Sequence, residues 1–375
     1  MISIQNPQDC SGCTACQNVC RHEAITMRPD GLGFLYPVVD ASRCVDCGLC
    51  DRVCPFHEGY ELTPNFAVPL AYAARHKDLN EVDKSRSGAV FAALSDAVLS
   101  HGGAVYGAGF TDHFRVMHCR ATTPAERDEM RGSKYVQSDL TGVFPQVLHD
   151  LQEGREVLFS GTPCQTAGLR AFLGRKWADT EQLLLVDIVC HGAPSPYVWR
   201  DYLARMERKA GVRFTHVSFR DKRRFGWRAH RETFEGEGRV VSSDAFKFLF
   251  LRNYTERYSC FACPFKNFHR PSDITLGDFW GWERTAPTLN ADNRGCSLVL
   301  VNTPRGQRRF SSIASSLQLV EAQLADCTQP ALQRNYDGYR HRRIFERAYR
   351  RFGLGFALWR YGNNSWLYRL RRKFK

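Results

Sequence analysis

Several things are scarce or missing in this chain of 375 residues. No apolar run approaches the roughly 18 residues that cross a bilayer, which leaves out a membrane-spanning helix. The N-terminus has no charged-then-apolar signal pattern, so an oxidising compartment is not expected. No G-x-G-x-x-G stands at a strand-to-helix turn, and GAVYGAG at residues 103–109 is not that motif in register, so the usual nicotinamide-binding fold is unsupported. Acidic residues are missing from one end only. Residues 338–375 hold twelve Arg or Lys against Glu346 alone, +11 of the formal +13, which leaves +2 for the rest. A nucleic-acid binder is basic over a whole face, so that class is excluded.

Cysteine is what the chain has in quantity, with 15. Eight of them stand in two runs of Cys-x2-Cys-x2-Cys-x3-Cys: Cys10, Cys13, Cys16, Cys20, then Cys44, Cys47, Cys50, Cys54. In the bacterial dicluster ferredoxin pattern, three thiolates of each run hold one 4Fe-4S cluster and the fourth holds its neighbour. The expected sets are therefore Cys10, Cys13, Cys16 with Cys54, and Cys44, Cys47, Cys50 with Cys20. Structural zinc also uses paired Cys-x2-Cys steps, but it gives no reason for a repeated triplet plus one. One departure is visible: Pro55 follows the second run, whereas Arg21 follows the first, where proline is usual. Such thiolates imply a reducing, cytoplasmic setting.

The length predicts several domains, and the patterns predict an α+β/α/β multidomain chain. Residues 1–60 form the dicluster module, with a hairpin around Asp30-Gly31 and little core of its own beyond the metal. A linker near residues 57–70, with Gly59, Pro64 and Pro69, leads to a unit at 70–150. In that unit LAYAARH reads as a strand, Ser85 to Gly88 as a loop opening a helix, GAVYGAGF as a strand and Val143 to Gln152 as a helix. A further unit spans 151–325, and a basic helical tail spans 326–375.

The 151–325 unit holds strand EVLFSG, a helix ending at Gly174, and strand LLLVDI. This is a right-handed parallel unit, so the Cys164 and Cys190 loops fall at the same carboxyl edge, where ligands gather. Cys260 and Cys263 add another Cys-x2-Cys step before a proline. Together, Cys164, Cys190, Cys260 and Cys263 are candidates for a third 4Fe-4S cluster, with zinc or plain buried thiols as the alternatives. Cys119, Cys296 and Cys327 read as structural.

With these segments in view, the chain resembles the coenzyme F-420 hydrogenase/dehydrogenase beta-subunit family. The carrying motifs are SRSGAVFAAL, RGSKYVQS, LFSGTPCQTAGLRAFL, CHGAPSPYVW, SFRDK, CPFKNFHRPSDITLGDFWG and GCSLVLVNT, in order from about residue 70 to 303. The resemblance implies mixed α/β flavin-binding beta-subunit domains, with FAD close to a cluster. Family members exchange hydride with a 5-deazaflavin coenzyme or other two-electron substrates. Relatives also occur in bacterial gene sets for surface polysaccharides. Ala89 stands where many members carry a second glycine.

Toward that flavin, the candidate contacts are Ser85, Ser87 and Gly88, whose loop amides suit a pyrophosphate unless they only cap a helix. The others are Ser133, Lys134, Tyr135, Ser138, Thr162, Gln165 and Asp278. For a catalytic role the candidates are Lys134, able to offset charge on a reduced flavin, and His191, a proton carrier by residue type. A structural role beside Cys190 is the competing reading of His191. Lys222, Arg223 and Arg224 suit either an anionic substrate tail or a solvated loop. The Arg- and aromatic-rich tail suits the inner membrane surface or an acidic partner. Three functions follow as expectations: a flavin-dependent iron–sulfur oxidoreductase with a small-molecule hydride donor or acceptor; an electron-transfer subunit serving a redox partner protein; or a zinc-stapled interaction protein.

Overall fold

Alternation along the central strands decides the architecture. The computed structural model describes residues 1–57 and 65–363. The first hairpin joins β1 (Ile25–Pro29) and β2 (Leu35–Val39), with Asp30 accepting the backbone N–H groups of Leu32 and Phe34 across the turn. The chain then supplies β3 (Leu70–His76), β4 (Ala104–Thr111), β5 (Arg115–Ala121), β6 (Val157–Gly161) and β7 (Leu183–Ile188). Three short strands, β8 (His216–Ser218), β9 (Glu232–Gly236) and β10 (Arg239–Ser243), pair as a separate antiparallel sheet. Finally β11 (Ile274–Asp278), β12 (Ser297–Val301) and β13 (Leu317–Ala322) return to the first sheet.

That main sheet has eight strands in the order β13-β3-β12-β11-β7-β6-β4-β5. Its centre, β11-β7-β6-β4, is parallel, and both flanks are antiparallel. Successive residues serve opposite faces. Tyr106, Phe159, Leu183 and Leu185 pack into one core with Phe144 and Leu169, while Val105, Leu158, Leu184 and Val186 pack into another with Val90 and Leu94. A parallel sheet covered on both faces has no polar side, which explains the continuous apolar runs. Each such buried side chain contributes about 1.5–3 kcal/mol by leaving water.

The two expected units share one sheet. The segments 70–150 and 151–325 do not form separate bodies, because β3 pairs with β12 and β13 while β4 pairs with β6. The C-terminal segment is helical as expected and is anchored to the rest. The helix Tyr339–Tyr361 sends Phe345, Tyr349 and Leu354 into a third core with Trp199, Tyr202 and Phe246. Leu32 and Phe34 of the first hairpin enter the same core, so the cysteine-rich module borrows a core from the rest of the chain. Gly59, Pro64 and residues 364–375 lie outside the described residues.

Candidate functional site

The two cysteine runs fold as a near repeat. In both, a residue two positions after the first cysteine has positive φ (Gly12 +70°, Asp46 +50°), as does the residue after the second cysteine (Thr14 +68°, Gly48 +71°). These left-handed turns curl each Cys-x2-Cys step and aim backbone amides inward. Gly12 N–H donates to Cys10 Sγ at 3.4 Å, and Ile2 N–H donates to Cys50 Sγ at 3.2 Å. The result is two cavities with thiols on their walls. One is lined by Cys10, Cys13, Cys16 and Cys54. The other is lined by Cys20, Cys44, Cys47 and Cys50. Each run thus lends its fourth cysteine to the other's cavity. Burial pushes the Cys13 thiol up to about 12, so its thiolate needs compensating positive charge. Among the described residues no group of three or more His, Cys, Asp or Glu side chains is set to hold a metal ion.

The second cysteine set is assembled by the sheet. Cys164 follows β6 in the first turn of the helix Pro163–Ala178, where Pro163 opens the helix and Thr162 and Gln165 form a capping box. The helical backbone breaks at Gly174 (φ +62°). Cys190 follows β7, the parallel neighbour of β6, and β11 ends beside β7 at Asp278. Cys260 lies in the short turn Tyr258–Phe261, with Cys263 just beyond, and Cys260 Sγ accepts from Ala193 N–H at 3.3 Å. Burial pushes Cys164, Cys260 and Cys263 up to about 11, and Cys190 is raised as well. The negative charges of Cys260, Cys164 and Cys263 add to the rise at Cys190, which places all four in one neighbourhood.

Two buried cations that the sequence reading missed serve these thiols. Arg257, 1 % exposed, donates Nε to Cys10 O at 2.6 Å, Nη2 to Leu35 O at 2.8 Å and Nη2 to Cys10 Sγ at 3.4 Å. Its Nη1 donates to Gln137 Oε1 at 3.2 Å, and Gln137 in turn donates to Ser11 O at 2.8 Å. Lys266 donates to Cys260 O at 3.0 Å and covers the Tyr336 ring at 4.2 Å. Gly168 presses on the first cavity from the other side; a Cβ there would stand 2.7 Å from Cys13 Sγ. The helix carrying Cys164 therefore touches the wall that carries Cys13.

Beyond Cys190 an aromatic path leads away. His191 meets Phe250 at 4.8 Å between centroids, Phe250 meets Tyr135 at 5.3 Å, and Tyr135 meets His230 at 4.9 Å. Burial, then Lys266, hold His191 down to about 4, so it is neutral near pH 7. Glu256 stands 3.8 Å from it, fully buried and pushed up to about 8 by that burial. At the far end Asp278 accepts from Arg220 at 2.6 Å and from Arg86 at 3.3 Å. Both guanidiniums also donate to Trp227 O, at 3.1 and 2.8 Å. Three of their nitrogens, Arg86 Nε and Nη1 and Arg220 Nε, are buried without a hydrogen-bond partner. Two arginines share one carboxylate, and buried donors in excess of acceptors call for an anion. Burial, with the charges of Arg220, Lys247 and Arg86, drives His230 down to about 2.

Of the expected flavin contacts, Tyr135 and Asp278 line this path, and Arg220 joins them at 3.5 and 2.6 Å. The others, Ser133 apart, are engaged within the fold. Ser87 Oγ donates to Cys296 O at 2.6 Å, and Gly88 N–H donates to Ser297 Oγ at 2.9 Å, so neither donor is left for a pyrophosphate. Ser85 ends the helix Leu79–Lys84. Ser138 takes a bond from Gln165 Nε2 at 2.9 Å and pairs with His118 at 2.7 Å, while Thr162 Oγ1 lies 3.2 Å from Cys164 Sγ. Ser133 is exposed. Lys134 donates to the carbonyls of Glu129 and Arg131, 2.8 and 2.9 Å away, and is held down to about 7 by burial. The basic run divides. Lys222 is buried among the carbonyls of Val82, Ser87 and Arg294, against both expectations for it, whereas Arg223 and Arg224 are exposed as in a solvated loop, Arg224 pairing with Asp221 and Glu235. Cys296 and Cys327 lie in an apolar core around Trp227 and Phe279, and Cys119 is half-buried.

Residues 154–326 match the family described as the C terminus of the coenzyme F420 hydrogenase/dehydrogenase beta subunit. Residues 9–57 match the 4Fe-4S dicluster domain. The chain therefore joins an iron–sulfur dicluster module to a unit of the F420 hydrogenase/dehydrogenase beta-subunit kind. No curated protein matches it. Among solved structures it is similar to a chain of the F420-reducing nickel–iron hydrogenase complex from Methanosarcina barkeri, in a xenon-derivatised form. The two share 15% identity over 79% of this chain and 92% of that one, with a TM-score of 0.48.

Proposed function

We propose that the chain is a flavin-dependent iron–sulfur oxidoreductase that moves electrons between 4Fe-4S clusters and a two-electron substrate through FAD. The observation that carries the reading is the buried arginine pair with unpartnered N–H groups, joined by aromatic rings to the Cys164/Cys190/Cys260/Cys263 set. In this reading Cys10, Cys13, Cys16 and Cys54 hold one cluster, and Cys20, Cys44, Cys47 and Cys50 hold another. The four scattered cysteines hold a third. FAD supplies the exchange between one-electron carriers and a hydride donor or acceptor, which clusters cannot make alone.

The chain's own residues do the rest. Arg86 and Arg220 offer donors to an anionic group beside Tyr135, and Asp278 holds both guanidiniums in place. Neutral His191 and the raised carboxyl of Glu256 keep the surroundings of Cys190 low in charge. Arg257 ties the wall carrying Cys10 to the Cys260 turn, so the spacing between cysteine sets is fixed by a buried contact rather than by a linker. Cys47 is exposed, which gives a one-electron protein partner access at the far end of the series.

Anaerobic purification followed by a spectrum and a titration with candidate hydride donors tests the proposal. Bound flavin that bleaches together with the iron–sulfur bands supports it. Iron without flavin, and turnover only when a partner protein is added, makes the chain an electron-transfer subunit instead.

A further inference from the structure

The outer face of the C-terminal helix differs from the rest of the surface. The helix Tyr339–Tyr361 buries Arg342, Phe345, Ala348 and Tyr349, and its backbone turns at Gly353 (φ +74°). Arg340, Arg343, Arg347 and Arg351 recur every three or four residues on the exposed side. None of these four forms an ion pair among the described residues. Glu346, the single acid of residues 338–375, is spent on Arg342 and Tyr258 at 2.9 and 2.8 Å. At the end of this stripe the Arg351 guanidinium lies 5.2 Å from the Phe352 ring centroid. Phe352 then continues into Phe356 at 4.7 Å and Phe356 into Trp359 at 5.5 Å. Phe352 and Trp359 are 56% and 55% exposed. Large rings left in water beside unpaired cations point to something that supplies both apolar cover and negative charge.

We propose that this face rests on an anionic lipid surface, with Phe352 and Trp359 in the headgroup layer and the arginine stripe against lipid phosphates. The chemistry is that of an interfacial helix: indole and phenyl rings sit at the level where hydrocarbon meets water, and guanidiniums pair with phosphate. No helix among the described residues is long and apolar enough to cross a membrane, so the contact is peripheral. A single-stranded nucleic acid fits less well. The three rings pack against one another in tilted pairs at 46° and 44°, and such a wedge offers no open faces between which bases stack. This placement stands apart from the redox reading and survives its failure.

Full-length protein is co-sedimented with vesicles of equal parts phosphatidylcholine and phosphatidylglycerol, and with phosphatidylcholine vesicles alone. Binding to the anionic vesicles only, weakened by salt, is expected. The triple variant Arg343→Gln, Arg347→Gln, Arg351→Gln and the double variant Phe352→Ser, Trp359→Ser are each expected to lose about tenfold or more in vesicle binding. Iron content and circular dichroism, unchanged, certify the fold; should one variant misfold, the other decides. Equal binding to both vesicle types, no binding at low ionic strength, or binding that neither variant weakens overturns the proposal. So does single-stranded RNA displacing the protein from vesicles through the same arginines.

Discussion

The two cysteine sets are assembled by different means. The first is written within 45 residues as a repeated spacing, and its turns repeat as well: Gly12 and Asp46, then Thr14 and Gly48, take left-handed backbones at equivalent places. The second draws on four points between Cys164 and Cys263, and only the parallel pairing of β6 with β7 makes neighbours of the first two. A local spacing can hold a cluster with hardly any core. A dispersed set needs a finished sheet beneath it, and it stands next to what that sheet also builds: the aromatic path and the arginine pair. In the proposed function the first set carries electrons and the second hands them over.

The most severe way to break this comparison is Cys263→Ser. It is expected to remove about four of about twelve irons per chain and to leave the spectroscopic signals of the ferredoxin pair intact. Electron delivery to any two-electron acceptor should stop, although the pair still reduces with dithionite. Wild-type iron near eight per chain, unaltered in the variant, removes the third cluster from the reading.

Next in size comes the joint between the sets. Arg257→Met leaves the carbonyls of Cys10 and Leu35 buried and unpaired, a cost of about 3 kcal/mol. It also removes the charged donor near Cys10 Sγ, so one cluster should become harder to reduce. Anaerobic urea unfolding and a redox titration followed by electron paramagnetic resonance read the two effects separately. Arg257→Lys, which keeps the charge, should recover part of the potential and less of the stability.

What was legible in the sequence divides along the same line. The crossed sets, the hairpin at Asp30, strand Leu70–His76 and helix Val143–Gln152 all follow from local pattern, because spacing and periodicity act within a few residues. The shared edge for Cys164 and Cys190 was also legible, since a strand–helix–strand unit constrains where its loops fall. Arg86, Arg220 and Arg257 were not. An arginine becomes an anion donor or a clamp only through burial against partners mostly far along the chain, as Arg86 against Asp278 and Arg257 against Cys10, and nothing nearby marks that burial. The same limit misplaced Lys222, which read as part of a solvated run and is instead enclosed by three carbonyls. That the segments on either side of residue 150 share one sheet was not legible, because a sheet may interleave strands from distant segments, which composition does not record.

A third test uses the acid-base character of the dispersed half. Glu232 on β9 is fully buried, its carboxyl accepts from Lys247 N–H at 2.8 Å, and burial pushes its pKa up to about 8. The folded form therefore binds this proton more tightly than the unfolded chain, where the value is near 4.5. Its stabilising effect is complete below about pH 4.5 and is lost as pH rises through about 8. Relative to wild type, Glu232→Gln should gain stability steadily between those limits, on the order of 1 kcal/mol for each unit of displaced pKa. Urea midpoints taken at pH 6 and pH 9 check the sign: parallel curves would falsify the assignment.

The smallest effect concerns a single methyl group where the two halves meet the sheet. Ala89 opens the helix Val90–Ser100 with φ +66°, a left-handed backbone that costs a residue with Cβ about 1 kcal/mol. Glycine, which the resemblance leads one to expect there, takes that backbone freely, although it gives back part of the gain as chain entropy in the unfolded state. Ala89→Gly should therefore stabilise by somewhat under about 1 kcal/mol, seen as a small upward shift of the urea midpoint without a change of slope. The neighbouring Gly88 behaves oppositely: a Cβ there would fall 2.1 Å from Ala74 O, so Gly88→Ala must part the helix start from β3. If Ala89→Gly destabilises instead, the Ala89 methyl is contributing packing with Val82 and Ala92 that outweighs its backbone strain.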